Sequence, residues 1–596
     1  MKKIIQVVLV AFALTGTGCS DSFFDKKPQG SLDPSKIDER LITSYRDAVY
    51  QYVGVPMSGY DAVFLDGYAD NGYSRNSWDS NGSAVQSNTL SADLDFGYET
   101  CYAGIRACNK LIYEIDQYPS VESVMREKYK NEARVMRAWL YMGLTLYFGD
   151  VPFITSPQND YPEGLSRTSA KEIREWVLKE LNEAFSILPE TNEKGRFNKA
   201  MTSAIKARAA YYFGNYAEAE KAARYVIEKG RYKLHEVSAL SVDMQKDAEF
   251  FKQLVDFNAS GINETSFIKG LFNYQNIWRA DNSPETIIAK EYLPTEENGS
   301  WVRVTAFMSP NMVNKQAWAT IVPIQKLVDA YWMVDGKTKP NLPSMEQRIS
   351  DYKAMSAEVQ KQISTEVPFS KAVHAMIGSL VKKPYMSQFR NRDSRLYASI
   401  VFPFSSISRF RMDEYQQYIP DIVNYGRSGF TFRKMTGVEN VISAWGDAYY
   451  ITGVDFPVIR LAEMLLIYAE AHTQTTGYDE SVTAELNKLR ARAGMPVVPN
   501  SLSKNEALDF IRAERRIELA GEGLRFLDIR LYEDDQRNGG YKGVEAASNV
   551  MKGQIKDVVG NPGAQLTWAS RLMYMPLPIT ALDKNKSKEM KQNEGY

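Results

Sequence analysis

The 596-residue chain has few of the side chains that hold metals or cross-link folds, with only three cysteines and three histidines. His235, His374 and His472 are scattered and have no cysteine or carboxylate cluster around them, so no metal site is expected. Cys101 and Cys108 sit seven apart in a helical pattern, which puts them roughly on one face and about 10 Å apart, too far for a disulfide. Both are expected as buried thiols. A net charge is lacking too: 72 basic residues stand against 73 acidic ones, so no long-range field draws the chain to nucleic acid or to an acidic lipid surface. The sequence contains no Gly-rich phosphate loop, no G-x-S-x-G and no H-E-x-x-H, since the string LHEVS at 234–238 lacks the second histidine. No cofactor is implied. Glycosidase carboxylates carry no local signature, so these absences do not by themselves exclude a glycoside hydrolase.

Long apolar runs are confined to the N-terminus. The stretch from Ile4 to Leu14 is broken only by Gln6, follows Lys2-Lys3 and leads through Gly16-Thr17-Gly18 to Cys19. That is the order of a signal peptide, residues 1–18. It is too short to span a bilayer, which takes about 20 apolar residues. A cysteine directly after the small residues is where bacterial lipoproteins are acylated, and Cys19 is the expected lipidation site, although Gly16 stands where Leu or Val is commoner. Two or three acyl chains suffice for stable anchoring. Residues 19–30, CSDSFFDKKPQG, read as a tether, and Asp21 and Asp25 resemble the acidic signal that sends some lipoproteins to the outer face of the outer membrane. The most apolar later stretch, RAWLYMGLTLYFGD at 137–150, carries Arg137.

The remainder is ample for a large core. Apolar residues at three- and four-residue spacing predict helices over roughly 34–54, 94–117, 121–148, 169–188, 198–213 and 216–229. These make consecutive helical hairpins in an N-terminal region 31–230. The segment FGNYAEAEKAARYVI at 213–227 looks like the turn of a tetratricopeptide repeat, with Ala219, Ala222 and Ala223 where two helices cross. Between 231 and 456 Pro, Gly, Asn, Ser and aromatic residues take over, with strand-like pieces at 285–292 and 396–402. Helical patterns return at 458–475, 480–493 and 503–521, within a C-terminal region 457–596 expected to pack back on the scaffold. The predicted fold is therefore mainly α: a tetratricopeptide-like helical-hairpin scaffold with a large irregular, loop-rich insertion that binds ligand.

The whole chain resembles the SusD/RagB-like outer-membrane lipoproteins of Bacteroidetes. The resemblance rests on RAWLYMGLTLYFGDVPFI at 137–154, SPETII at 283–288, KLVDAYWMVDGK at 326–337, RDSRL at 392–396, RLAEMLLIYAEAHTQ at 460–474, LNKLRARAGM at 486–495, IRAERRIELAGEGLRFLDIR at 511–530, and the ending MPLPITALDKNK…KQNEGY. It implies a lipid-anchored protein on the outer membrane, facing outward, that binds poly- or oligosaccharide and works with a SusC-like TonB-dependent transporter, without being an enzyme. A peptide ligand, and less readily a glycoside hydrolase or a protein-only scaffold, are the alternatives. In 511–530, alternating Arg and Glu at helical spacing favour ion pairs across helix faces, or pins to neighbouring helices. Glu514 and Glu518 are weak catalytic candidates because both lie within an Arg-rich helix.

A sugar offers hydroxyls and an apolar C–H face that stacks on an aromatic ring, so its site needs exposed Trp or Tyr flanked by hydrogen-bonding side chains. Segment 66–81, DGYADNGYSRNSWDSN, fits best: Trp78 stands among Tyr73, Arg75, Asn76, Asp79 and Asn81, where the family places an N-terminal binding loop. The region 272–318 supplies Tyr274, Trp278, Tyr292, Trp301 and Trp318 as further candidates.

Overall fold

Small polar residues start three consecutive helices of the scaffold, and glycines close two of its ends. The computed structural model describes residues 39–596 except 55–61, 75–80, 95, 120, 158–163, 279–282, 292–307, 309–318, 365–368, 407–427, 435–440, 445–449, 453–454, 559–561 and 586–589. The first helices are α1 (Glu39–Tyr50), α2 (Tyr98–Glu114), α3 (Ser123–Phe148), α4 (Ala170–Ile187), α5 (Lys199–Tyr212) and α6 (Tyr216–Lys229). Ser169, Asn198 and Asn215 cap α4, α5 and α6 by accepting the backbone N–H three residues on. Gly214 turns the chain between α5 and α6 at a φ of 72°, in the left-handed region. Ala219, Ala222 and Ala223 are buried on α6, and their small size lets it lie close to α5, as the repeat-like turn predicts.

The chain then leaves the stack. Helices α7 (Val242–Lys252), α8 (Glu264–Gln275), α9 (Met345–Gln360) and α10 (Phe369–Leu380) alternate with short antiparallel ladders. Strand β1 (Gly72–Ser74) pairs with β3 (Ile321–Pro323), and β2 (Thr286–Lys290) with β4 (Phe456–Arg460). From β4 the chain returns as α11 (Leu461–Thr475), α12 (Glu480–Arg492), α13 (Lys504–Glu518) and α14 (Arg525–Arg537). Helix α11 packs against α5, α6, α12 and α13, so the helical stack is built from two separated parts of the chain. Cys101 and Cys108 are both buried and are not joined in a disulfide.

Two local expectations fail. The piece 396–402 forms a helical turn, Ser394–Ser399, and only Ile400–Val401 is strand. The Asp393 carboxylate accepts the Arg395 N–H and starts the turn, which overrides the β-favouring composition. Helix α9 lies in a stretch read as irregular, because only Arg348, Tyr352, Met355 and Val359 of its 16 residues are buried, a stripe too narrow to stand out.

The end of α3 is closed by distant parts of the chain. An α-helix leaves its last four carbonyls without intrahelical partners. Here Arg174 of α4 donates to Thr145 O at 2.9 Å, Arg530 of α14 to Leu146 O, the Met575 N–H to Tyr147 O at 2.6 Å and the Asn593 amide to Phe148 O at 2.9 Å.

At the centre lies a lattice of buried charges. Glu518 accepts from Arg460 at 2.8 Å, from Arg395 at 3.1 Å and from Arg492. Glu514 pairs with Arg395 at 2.7 Å and Arg490 at 2.6 Å, and also accepts the Trp332 indole N–H at 3.1 Å. Glu285 pairs with Arg460 and Arg492, Asp393 with Arg395, and Glu522 with Arg460 and Lys434. Five cations, Arg395, Lys434, Arg460, Arg490 and Arg492, thus meet five carboxylates, Glu285, Asp393, Glu514, Glu518 and Glu522. The 511–530 charges therefore act mainly as pins between elements, with pairs across one helix face a minor part. Removing one partner strands a buried charge at a cost of about 3–5 kcal/mol. Glu518→Gln is expected to lose stability on that scale, read as a lower denaturant midpoint with native-like circular dichroism before the transition.

A smaller cluster staples α6, α11 and α12. His472 Nδ1 lies 2.9 Å from Glu220 and Nε2 lies 3.0 Å from Asp479. Burial disfavours the imidazolium, but the two carboxylates outweigh it and raise the His472 pKa. The staple is therefore fully present below the ordinary histidine pKa of about 6.5 and is lost as pH rises through the raised value. His472→Gln should lower the melting temperature at pH 5.5 and change it little at pH 9.

Candidate functional site

The β1–β3 ladder joins the two sequence segments richest in candidate sugar-binding side chains. Its antiparallel register pairs Gly72 with Pro323, Tyr73 with Val322 and Ser74 with Ile321. The chain that follows Ser74 and the chain that precedes Ile321 therefore leave the ladder at the same end. Ala319, just before β3, has a φ of 38°, in the left-handed region that a side chain adopts at some cost.

The turn before β1 is held rigidly. Its ribbon is so close that a Cβ on Gly72 would lie 3.0 Å from the Asp66 carbonyl oxygen. The buried Gln86 amide donates to Ala69 O and Gly72 O, each at 2.7 Å, and the Ile324 N–H donates to Asn71 O at 3.0 Å. From the other side Arg516 donates to the Asn71 side chain at 2.9 Å and pairs with Asp70 at 2.7 Å, while Arg525 grips Asp70 at 2.7 Å. Glu545 completes this quartet by pairing with both arginines. Burial would raise the Asp70 pKa, but the two guanidiniums hold it far below the usual carboxylate range.

The carboxylates of α13 are poorly suited to acid–base chemistry. A glycosidase acid must keep a proton near neutral pH. Burial pushes Glu514 and Glu518 up, yet Arg395 and Arg490 around Glu514, and Arg492, Arg460 and Arg395 around Glu518, pull both below their ordinary values. Among the described residues no group of three or more His, Cys, Asp or Glu side chains is placed to hold a metal ion. Among the same residues no helix is long and apolar enough to cross a membrane.

Residues 284–596 match the model of the SusD family, and residues 22–212 match a family described as starch-binding and associating with the outer membrane. The chain belongs to the SusD family. The SusD-like protein P38 of Formosa agariphila is 23% identical, over 72% of this chain and 71% of that protein. The starch-binding protein SusD of Bacteroides thetaiotaomicron is 22% identical, over 81% of this chain and 75% of that protein. A solved SusD-like protein from Bacteroides fragilis, 22% identical, superposes with a TM-score of 0.70 over 96% of this chain and 100% of its own.

Two candidate rings of this SusD-family chain occupy the core and not a ligand surface. Tyr274 is fully buried on α8, and its hydroxyl donates to Glu518 O at 2.6 Å. Trp278 is 3% exposed, with Lys434 4.1 Å and Arg460 5.2 Å from its ring centre. Both rings face the cations of the charge lattice, where cation–π attraction is strongest because water is excluded. They are thus not available for stacking on a sugar. Tyr73 is half-buried in β1, and Asn81 is half-buried at the start of the short helix Gly82–Ser87. Arg75, Asn76, Trp78, Asp79, Tyr292, Trp301 and Trp318 lie outside the described residues, as does Cys19.

The sequence reading missed Gln86, Asp70, Arg516 and Arg525 as the residues that fix the turn. Asp70 was legible only as a polar neighbour of Trp78, and its partners lie more than 400 positions away. Truncating a buried Trp typically costs about 3–5 kcal/mol. Trp278→Ala should lower the denaturant midpoint accordingly and remove a blue-shifted component of the fluorescence.

Proposed function

We propose that this chain is a lipoprotein anchored through Cys19 at the outer face of the outer membrane, where it captures poly- or oligosaccharide and passes it to a SusC-like TonB-dependent transporter. The observation that carries the binding part is the β1–β3 ladder. It pairs Ser74 with Ile321, and in sequence Trp78 follows the first by four residues and Trp318 precedes the second by three. These rings are the ones assigned to sugar stacking, because a sugar's C–H face gains most from rings that lose little freedom on binding. Family membership points the same way, through relatives whose names and descriptions speak of starch binding at the outer membrane. The helical stack supplies the extended surface on which a partner protein can rest.

Capture without turnover fits the charge pattern, since Glu514 and Glu518 are each held ionised by arginines. The test is calorimetry of the soluble form, residues 20–596, against a panel of plant, host and microbial polysaccharides. Wild type is expected to bind one class with weak to moderate affinity. Trp78→Ala is expected to lose at least about tenfold in affinity, equivalent to 1.4 kcal/mol, with an unchanged melting temperature. Binding to peptides and to no glycan, or release of shortened sugars from the mixture, would overturn the proposal.

A further inference from the structure

The charge groups beneath the ladder balance without Asp66. The central lattice sets five cations against five carboxylates, and the neighbouring group sets Arg516 and Arg525 against Asp70 and Glu545. Asp66, on the 3₁₀ helix Ala62–Tyr68 that leads into β1, is fully buried and stands outside both groups. Its Oδ2 accepts the Gly523 N–H at 3.1 Å, and its Oδ1 makes no hydrogen bond.

Among the described residues the charged groups that act on Asp66 are Lys434 and Glu522, and both are already engaged. The Lys434 ammonium donates to Glu518 O at 3.1 Å, Ala520 O at 2.7 Å and Glu522 Oε1 at 2.6 Å, which uses all three of its protons. Both oxygens of Glu522 are taken by Arg460, at 2.7 Å and 2.8 Å, and its charge repels an ionised Asp66. Asp70 and Asn71, on the Asp66 turn itself, are held by Arg516 and Arg525. An ionised Asp66 is therefore a surplus buried charge, and such a group takes up a proton instead.

We propose that Asp66 is a proton-operated latch between the turn that carries β1 and the Gly521–Gly523 turn, closed when the carboxyl is protonated and progressively easier to open as pH rises from acidic to neutral. The same geometry fixes the range. Burial, helped by the Glu522 charge, pushes the Asp66 pKa up to about 7, against the pull of the Gly523 N–H, Lys434 and the Asn71 side chain. In the opened, solvated turn the carboxyl returns toward the ordinary aspartate value near 3.9. Opening then releases a proton between these two values, so the closed form is favoured fully at low pH and loses its advantage as pH approaches about 7. Above that it levels off, since both forms are ionised. That this motion adjusts glycan affinity rests on the proposed capture function; the latch itself does not.

The experiment is hydrogen exchange followed by mass spectrometry on ligand-free protein, residues 20–596, from pH 5 to 8, corrected for the intrinsic pH dependence of exchange. In wild type the opening constant of peptides covering 62–74 and 518–525 should rise by up to about tenfold per pH unit below pH 7 and then flatten. Asp66→Asn, a neutral isostere of the protonated acid, should show no such rise. Glu522→Gln removes the like charge and frees Lys434, so its plateau should begin at lower pH. The latch is overturned if wild type and Asp66→Asn share one profile, or if wild-type opening is flat with pH. Should the latch hold while glycan affinity is equal at pH 5.5 and 7.5, only its link to capture is overturned.

Discussion

Ten charges buried together can be tolerated only if every one of them is met, because a guanidinium or carboxylate taken out of water loses several kcal/mol of hydration. In this chain that requirement is satisfied by residues from widely separated segments. Glu285 precedes β2, Asp393 and Arg395 start a helical turn, Lys434 follows the Thr431–Phe432 strand, Arg460 ends β4, Arg490 and Arg492 end α12, and Glu514, Glu518 and Glu522 run along α13 and just beyond. None of these segments can shift by much more than an ångström without leaving a charge unmatched. The excursion between α6 and α11 is thereby tied to the stack by electrostatics as well as by packing. Tyr274 and Trp278 complete the lattice by covering its cations with ring faces.

The helical part of this architecture was legible from periodicity. Apolar spacing predicts helices over 169–188, 198–213 and 216–229, and the structure places α4, α5 and α6 there. The lattice was half legible. All its members but Lys434 sit in SPETII, RDSRL, RLAEMLL, LNKLRARAGM and IRAERRIELAGEG, blocks that carry the family resemblance, yet their pairings cross separations of up to 207 residues and no local rule assigns them. Aromatic residues misled for a related reason. Trp278 and Tyr274 stand among polar neighbours in sequence, which suggests exposure, but those polar residues lie beside a core that is itself charged. A hydrophobicity pattern cannot distinguish a polar surface from a polar interior.

The ladder and the lattice divide the work between them. Arg516 belongs to α13, the helix that also supplies Glu514 and Glu518, and it reaches to Asp70 and Asn71 on the opposite side of that helix. One helix thus braces the central charges and the turn that leads into β1. The turn before β1 thereby inherits its rigidity from the charge lattice.

The carbonyls at the end of α3 carry a consequence in time. Their partners arrive from α4, from α14, from Met575 and from Asn593, the last 445 residues further along the chain. A nascent chain emerging from its N-terminus must wait for nearly all of its sequence before that helix can be closed. Until then the carbonyls of Tyr147 and Phe148 lack those partners. Contacts of such long range slow folding because loop closure must precede the reward. A chain cut short of Met575 would leave those two carbonyls to find water instead.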